Sequence, residues 1–293
     1  MTDSYAADAL AADEVKVMTE ADTIEIDAFL EHIDGIDREQ RWGARFEPTS
    51  SQYQGEEGGF DAPLVFELGD IRSLLANWSY VQSAMRITDP SKLILEYTQV
   101  MMGFLLFNPS PRTIEIIGLG GGSLAKYCHK YLPETSIRGV EVDWEVIEVA
   151  DQFCMPPPSE RFEVIWADGA DFVANDPQTT DILMIDGFDK HGQPPQLCSL
   201  DFYRACRSRL NAGGILVVNL CNYPERNAPM LARLRECFGE IITAPAEAGM
   251  NLVVFAFKDG RSCFDRADLQ EAAGILQRNH SLPMAALVEK LLW

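Results

Sequence analysis

The chain has little positive charge. Its 24 Lys and Arg stand against 45 Asp and Glu, a formal net charge of −21 over 293 residues. Residues 1–40 hold twelve acidic side chains against only Lys16 and Arg38. Such a surface repels a phosphate backbone, so nucleic acid is excluded as a partner. It attracts small cations, although a solvated acidic face that aids solubility gives the same composition. Long apolar runs are missing too. No stretch of 18 apolar residues occurs and the N-terminus is acidic, which argues against a membrane span or a secretory leader and makes the cytoplasm the expected location. The seven cysteines (128, 154, 198, 206, 221, 237 and 263) include no CxxC pair, and the four histidines are dispersed. Reduced, buried thiols are therefore expected, and no metal site.

What the chain does have is a strand running into glycines. Thr113 to Ile117 reads as a buried strand, Gly118, Gly120 and Gly122 as the turn that follows, and Ser123 to Tyr131 as a helix. A second strand, Ser136 to Val142, ends in Glu141, where a carboxylate can accept hydrogen bonds from ribose hydroxyls. The dinucleotide fingerprint needs glycine at position 123, which is Ser, so a dehydrogenase is disfavoured and an adenosyl sulfonium fits the spacing better.

The order of elements predicts the rest of the fold. Strands are expected at Arg161 to Ala167, Asp181 to Asp186, Gly214 to Leu220, Glu240 to Thr243 and Asn251 to Lys258, with helices near 144–152, 199–210 and 226–238. This is an α/β protein with a Rossmann-like, doubly wound, mostly parallel sheet. Residues 1–20 read as an acidic mobile segment, 21–85 as a small β-rich domain, and 86–293 as the adenosyl-donor domain. A helix from Asp89-Pro90-Ser91 to about Phe107 is expected to lead into the first core strand.

In doubly wound sheets, ligands sit beyond the carboxyl ends of the strands. The residues there are the glycine loop, Glu141, Asp168-Gly169 and Asp186. Asp168 is placed either to accept from an adenine amino group or to cap the helix beginning at Gly169, and it can do both. Asp186 and Asp189 set two carboxylates at one strand mouth, fit to hold a cation or remove a proton, with an Asx turn as the structural alternative for Asp189.

These residues resemble the spermidine synthases, or polyamine aminopropyltransferases, from about Ser51 to Lys258. Ser51-Gln52-Tyr53-Gln54, Val81-Gln82, Asn108-Pro109-Ser110-Pro111-Arg112, Val140-Glu141-Val142-Asp143, Asp168-Gly169, Asp186-x-x-Asp189, Asp201-Phe202-Tyr203 and Leu210-Asn211-Ala212-Gly213-Gly214 each look like a family segment. The glycine loop by itself is shared with all class I methyltransferases, whose fold the resemblance implies. It also implies a reaction: an amine displaces the aminopropyl group of decarboxylated S-adenosylmethionine, leaving methylthioadenosine. Asp186 would be the base, Asp189, Gln82 and Tyr97 would bind substrate, and Glu96 would bind it too, as a replacement carboxylate supplied from the helix. Gln54, Gly118, Gly120, Gly122, Glu141, Asp168 and Gly169 would bind the donor. A homodimer joined through the N-terminal part is also implied.

The sequence departs from the family at defined points. Gly121 replaces the loop Asp that holds the donor's primary ammonium, Lys190 replaces a proline, and Ala248-Gly249-Met250-Asn251 replaces an aromatic segment of the acceptor pocket. Losing a carboxylate at 121 removes a repulsion against the carboxylate of intact S-adenosylmethionine. A methyltransferase acting on a small amine is therefore an alternative, and a noncatalytic nucleoside-binding relative is another.

Overall fold

The computed structural model describes residues 63–77, 80–189, 192–221, 223–246, 250–260 and 264–292. The acidic segment 1–20, most of the expected 21–85 domain, Gln54 with its flanking Ser51 to Tyr53, Lys190, and Ala248 and Gly249 lie outside them.

Three antiparallel strands come first: β1 (Leu64–Leu68), β2 (Ile71–Asn77) and β3 (Tyr80–Arg86), in the order β1-β2-β3. Gln82 lies within β3, half-buried. The helix expected from residue 90 begins later. Residues 90–95 are non-helical, with Leu93 and Leu95 both buried, a spacing of two that suits extended chain. Helix α1 is Glu96–Met101 and continues as a 3-10 turn, Met102–Leu106.

The main sheet has seven strands in the order β6-β5-β4-β7-β8-β10-β9. These are β4 (Thr113–Ile117), β5 (Ser136–Glu141), β6 (Phe162–Trp166), β7 (Thr180–Ile185), β8 (Leu210–Cys221), β9 (Ile241–Ala246) and β10 (Asn251–Phe257). Five are parallel, and β10 runs antiparallel to both β8 and β9. The connecting helices are α2 (Ser123–Tyr131), α3 (Trp144–Val149), α4 (Gly169–Asn175), α5 (Leu200–Arg209) and α6 (Pro224–Phe238). Past the last strand, α7 (Arg266–His280) and α8 (Met284–Lys290) add a helical pair that sequence reasoning did not assign.

The central strands carry apolar residues on both faces because helices cover both. Ile182, Leu183, Met184 and Ile185 of β7 have no accessible surface. Within this interior Glu115 of β4 is buried, and it is held by Arg209 and Arg138, which both also bind Asp176. Burial alone would raise the Asp176 carboxyl, but hydrogen bonds from Arg138, the Gln178 N–H and Arg209 hold it down at about 2. This network lies within the sheet and behind α4, away from the strand mouths. Among the described residues no helix is long and apolar enough to cross a membrane.

The chain enters the sheet at β4, builds β5 and β6 to one side, and then crosses to β7 and β8 on the other. The reversal falls between β4 and β7, which is where such sheets open a crevice at their carboxyl ends.

Candidate active site

Gly118 and Asp186 meet at that crevice. The Asp186 N–H donates to the Ile117 carbonyl at 2.8 Å, extending the β4–β7 ladder by one residue, while the Gly118 N–H turns the other way to the Val140 carbonyl at 2.9 Å. Gly118 has φ +91°, and a Cβ on it would lie 2.4 Å from the Asp186 carbonyl oxygen. Only glycine fits there, on conformational and on steric grounds. Gly120 and Gly122 also have positive φ, and Gly122 lies against Met155. Gly121 is confined differently: a Cβ would stand 2.8 Å from both the Phe153 ring and Ser83 Oγ. The loop is thus walled by β3 on one side and by the turn after α3 on the other.

Glu141 ties this loop to the next turn. Its Oε2 accepts from the N–H groups of Leu119 at 2.9 Å and Gly120 at 3.4 Å, and its Oε1 from those of Val142 at 2.9 Å and Asp143 at 3.0 Å. A carboxylate offers about four acceptor positions, and here the backbone uses them all. Asp168 caps α4, with Oδ1 accepting from Ala170 and Asp171 N–H at 2.8 and 3.0 Å. No bond to its Oδ2 is found among the described residues, so the capping role leaves an oxygen at the strand end. Gly169 presses against Ile117, where a Cβ would sit 2.3 Å from a methyl group.

Asp186 is the chemically distinctive group. Three elements converge on its carboxylate. The Asn219 Nδ2 of β8 donates to Oδ1 at 2.9 Å, the Tyr97 hydroxyl of α1 donates to the carboxylate as well, and Glu141 at the end of β5 adds negative charge nearby. The residue keeps some solvent access, yet the protein around the carboxyl removes most of its hydration. That desolvation raises its pKa from 3.8 to about 7, with the Glu141 charge pushing the same way and the hydrogen bonds from Asn219 and Tyr97 opposing. A carboxyl poised near neutrality can take a proton at the pH where it works.

The remaining expected site residues are distributed around this centre. Tyr97 points to Asp186, whereas Glu96, one residue earlier on α1, is ion-paired with Lys290 of α8. Gln82 stays on β3, next to the Ser83 that borders the glycine loop. Asp189 lies exposed on the rim, its backbone exchanging hydrogen bonds with Gly192 at 2.8 and 3.1 Å. Sequence reasoning missed Asn219 as a site residue. Its signal was present: an amide interrupts the apolar run Ile215-Leu216-Val217-Val218-Asn219-Leu220 just where a neighbouring strand ends in a carboxylate. Among the described residues, no cluster of His, Cys, Asp and Glu has the arrangement of a metal site.

The model for the spermine/spermidine synthase domain matches residues 95–241. The polyamine aminopropyltransferase of Chromobacterium violaceum is 36% identical over 229 residues, covering 78% of this chain and 88% of that protein. Two solved structures share the fold. One is a probable spermidine synthase from Corynebacterium glutamicum, with TM-score 0.60 and 18% identity over 76% of this chain and 88% of that one. The other is human methyltransferase-like protein 13 in complex with SAH, with TM-score 0.58 and 25% identity over 64% of this chain and 92% of that one.

Proposed function

Because the chain belongs to the spermine/spermidine synthase family, we propose that it is a polyamine aminopropyltransferase in which Asp186 deprotonates the acceptor amine. The observation that carries this is the Asp186 carboxyl at about 7, set against the glycine loop and held by Tyr97 and Asn219. An alkylammonium ionises near ~10.4, so at neutral pH the acceptor arrives protonated and must lose a proton to attack. Asp186 takes that proton. The freed nitrogen lone pair attacks the aminopropyl carbon bonded to the sulfonium of decarboxylated S-adenosylmethionine. A new C–N bond forms, the C–S bond breaks, and its electron pair returns to sulfur as methylthioadenosine leaves. The acidic surface draws the cationic acceptor toward the site.

The donor lies across the glycine loop. Glu141 is the ribose residue, and a ribose hydroxyl displaces the longest of its four backbone bonds, the 3.4 Å contact to Gly120. The Oδ2 of Asp168 takes the adenine amino group, and the nucleoside lies along the loop that Gly118, Gly120 and Gly122 turn at positive φ, with Gly169 packed on Ile117 beneath it. Gln54, Gln82 and Asp189 serve the donor's and acceptor's polar ends, and the working unit is a homodimer.

A second reading, methyl transfer from intact S-adenosylmethionine, has one feature in its favour. Gly121 gives the loop no carboxylate, and Phe153 and Ser83 fill the space where a side chain would stand. Mass spectrometry of reactions with either donor and a panel of diamines and polyamines separates the two. Aminopropylated amine with methylthioadenosine is the expected product; methylated amine with S-adenosylhomocysteine would replace the first reading by the second.

A further inference from the structure

We propose that Asn251 is a positioning residue for Asp186, acting through Asn219 as an amide relay. This rests on the reading of Asp186 as the base. A carboxylate only accepts hydrogen bonds, so Asn219 must turn Nδ2 toward Asp186 Oδ1, 2.9 Å away. Its Oδ1 is then directed elsewhere, and the Nδ2 of Asn251 donates to it at 3.0 Å. The sheet sets this pairing. Asn219 of β8 stands opposite Val253 of β10, and Asn251, two residues from Val253, is its diagonal neighbour on the same face.

Asn219 is only 2% exposed, so water is a poor substitute for either partner. Its amide has two orientations. One donates to an ionised Asp186; the other offers a carbonyl to a protonated Asp186. With Asn251 donating to Oδ1, the first satisfies both amides as they stand, and the second requires Asn251 to turn as well. Removing that donor frees Asn219 to rotate and accept from the protonated acid. Asn251 therefore biases the centre toward the ionised base. The other groups facing Asp186, Tyr97 from α1 and Glu141 from β5, are untouched by substitution at Asn251.

The test compares the wild type with Asn251→Ala and Asn251→Asp by two measurements. One is kcat/KM with decarboxylated S-adenosylmethionine and putrescine between about pH 5.5 and 9. The second is a carbon-13 NMR titration of the Asp186 carboxyl, assigned by its loss in Asp186→Asn, which requires no turnover. For the alanine variant the Asp186 midpoint is expected to rise by about one unit, the size of a hydrogen bond to a charged group. Relative kcat/KM then falls about tenfold near pH 6, and the loss narrows as pH rises. The aspartate variant, which can only accept, turns Asn219 around and adds charge, so its midpoint rises further. Circular dichroism checks that both fold, and the alanine variant decides the matter if the aspartate variant does not. An Asp186 midpoint that stays put, or a loss of activity equal at every pH, would overturn the relay. A wild type that transfers nothing from decarboxylated S-adenosylmethionine defeats the transferase reading instead, and the titration still judges the relay.

Discussion

Replacing Asp186 by Asn is expected to abolish transfer and yet make the folded chain more stable above neutral pH. The unfolded chain ionises this carboxyl at its ordinary 3.8, whereas the folded chain does so only at about 7. Between those values the native state binds the extra proton, so the group's contribution is intact below about pH 4 and is lost progressively as pH rises through 7. At ~1.4 kcal/mol per unit, a shift of this size corresponds to about 4 kcal/mol, and partial solvent access reduces the expected difference to roughly 2–4 kcal/mol. The asparagine has no such pH dependence. It still accepts from Asn219 but offers Tyr97 one acceptor oxygen fewer, at a cost of about 1 kcal/mol that is the same at every pH. Urea unfolding at pH 5 and pH 8 measures the contrast: the variant should gain on the wild type by about 2 kcal/mol or more between the two. In a thermal melt this amounts to a relative shift of roughly 4–8 °C for a chain of this size. Parallel stability curves for the two proteins would refute the desolvated-base account, whatever the variant does to activity.

Three further outcomes follow from the geometry. Gly118→Ala places a methyl group 2.4 Å from the Asp186 carbonyl and strains a backbone at φ +91°; a stability loss of about 2 kcal/mol or more with loss of donor binding is expected by calorimetry. Glu141→Gln leaves one oxygen for four N–H donors, so a loss of about 1–3 kcal/mol in chemical denaturation should accompany weaker nucleoside binding. Tyr97→Phe removes a donor to the ionised Asp186; the acid limb of the kcat/KM profile should move to higher pH by about one unit, and an unmoved limb would detach Tyr97 from the base.

The strand-loop-helix unit at residues 113–131 was legible because two signals reinforce each other locally: an apolar run, then glycines at positions that the backbone bends to positive φ. The strand-end acids were legible for the same reason, since parallel strands place their last residues together whatever the intervening sequence. The first helix was misjudged because Asp89-Pro90-Ser91 has the composition of a helix start, while the chain there makes a single turn, Lys92 N–H to the Asp89 carbonyl at 3.0 Å, and then buries Leu93 and Leu95 outside any helix. Asn219 and Asn251 lie further from any local rule. Their partnership exists only through the register of β8 against β10, and no short stretch of sequence encodes which residues two antiparallel strands set diagonally opposite. Glu96 and Tyr97 part for a related cause: adjacent helical residues face directions about 100° apart, so Tyr97 reaches Asp186 while Glu96 turns to Lys290 of α8.

The β1–β3 sheet ends at Arg86, where the sequence suggests a domain boundary, but its packing does not end there. Val65, Leu74 and Met85 are buried together with Val146 and Phe153, and Ile71 and Ala84 with Leu95. Ser83 Oγ lies 3.2 Å from Ser123 Oγ, and the buried Lys126 amine reaches across to Met85 Sδ at 3.3 Å and the Phe153 carbonyl at 2.8 Å. The residue-86 border is therefore a seam in the chain's path rather than a joint in the molecule. A fragment cut there would strip one wall from the glycine loop and lay open the apolar face beneath it.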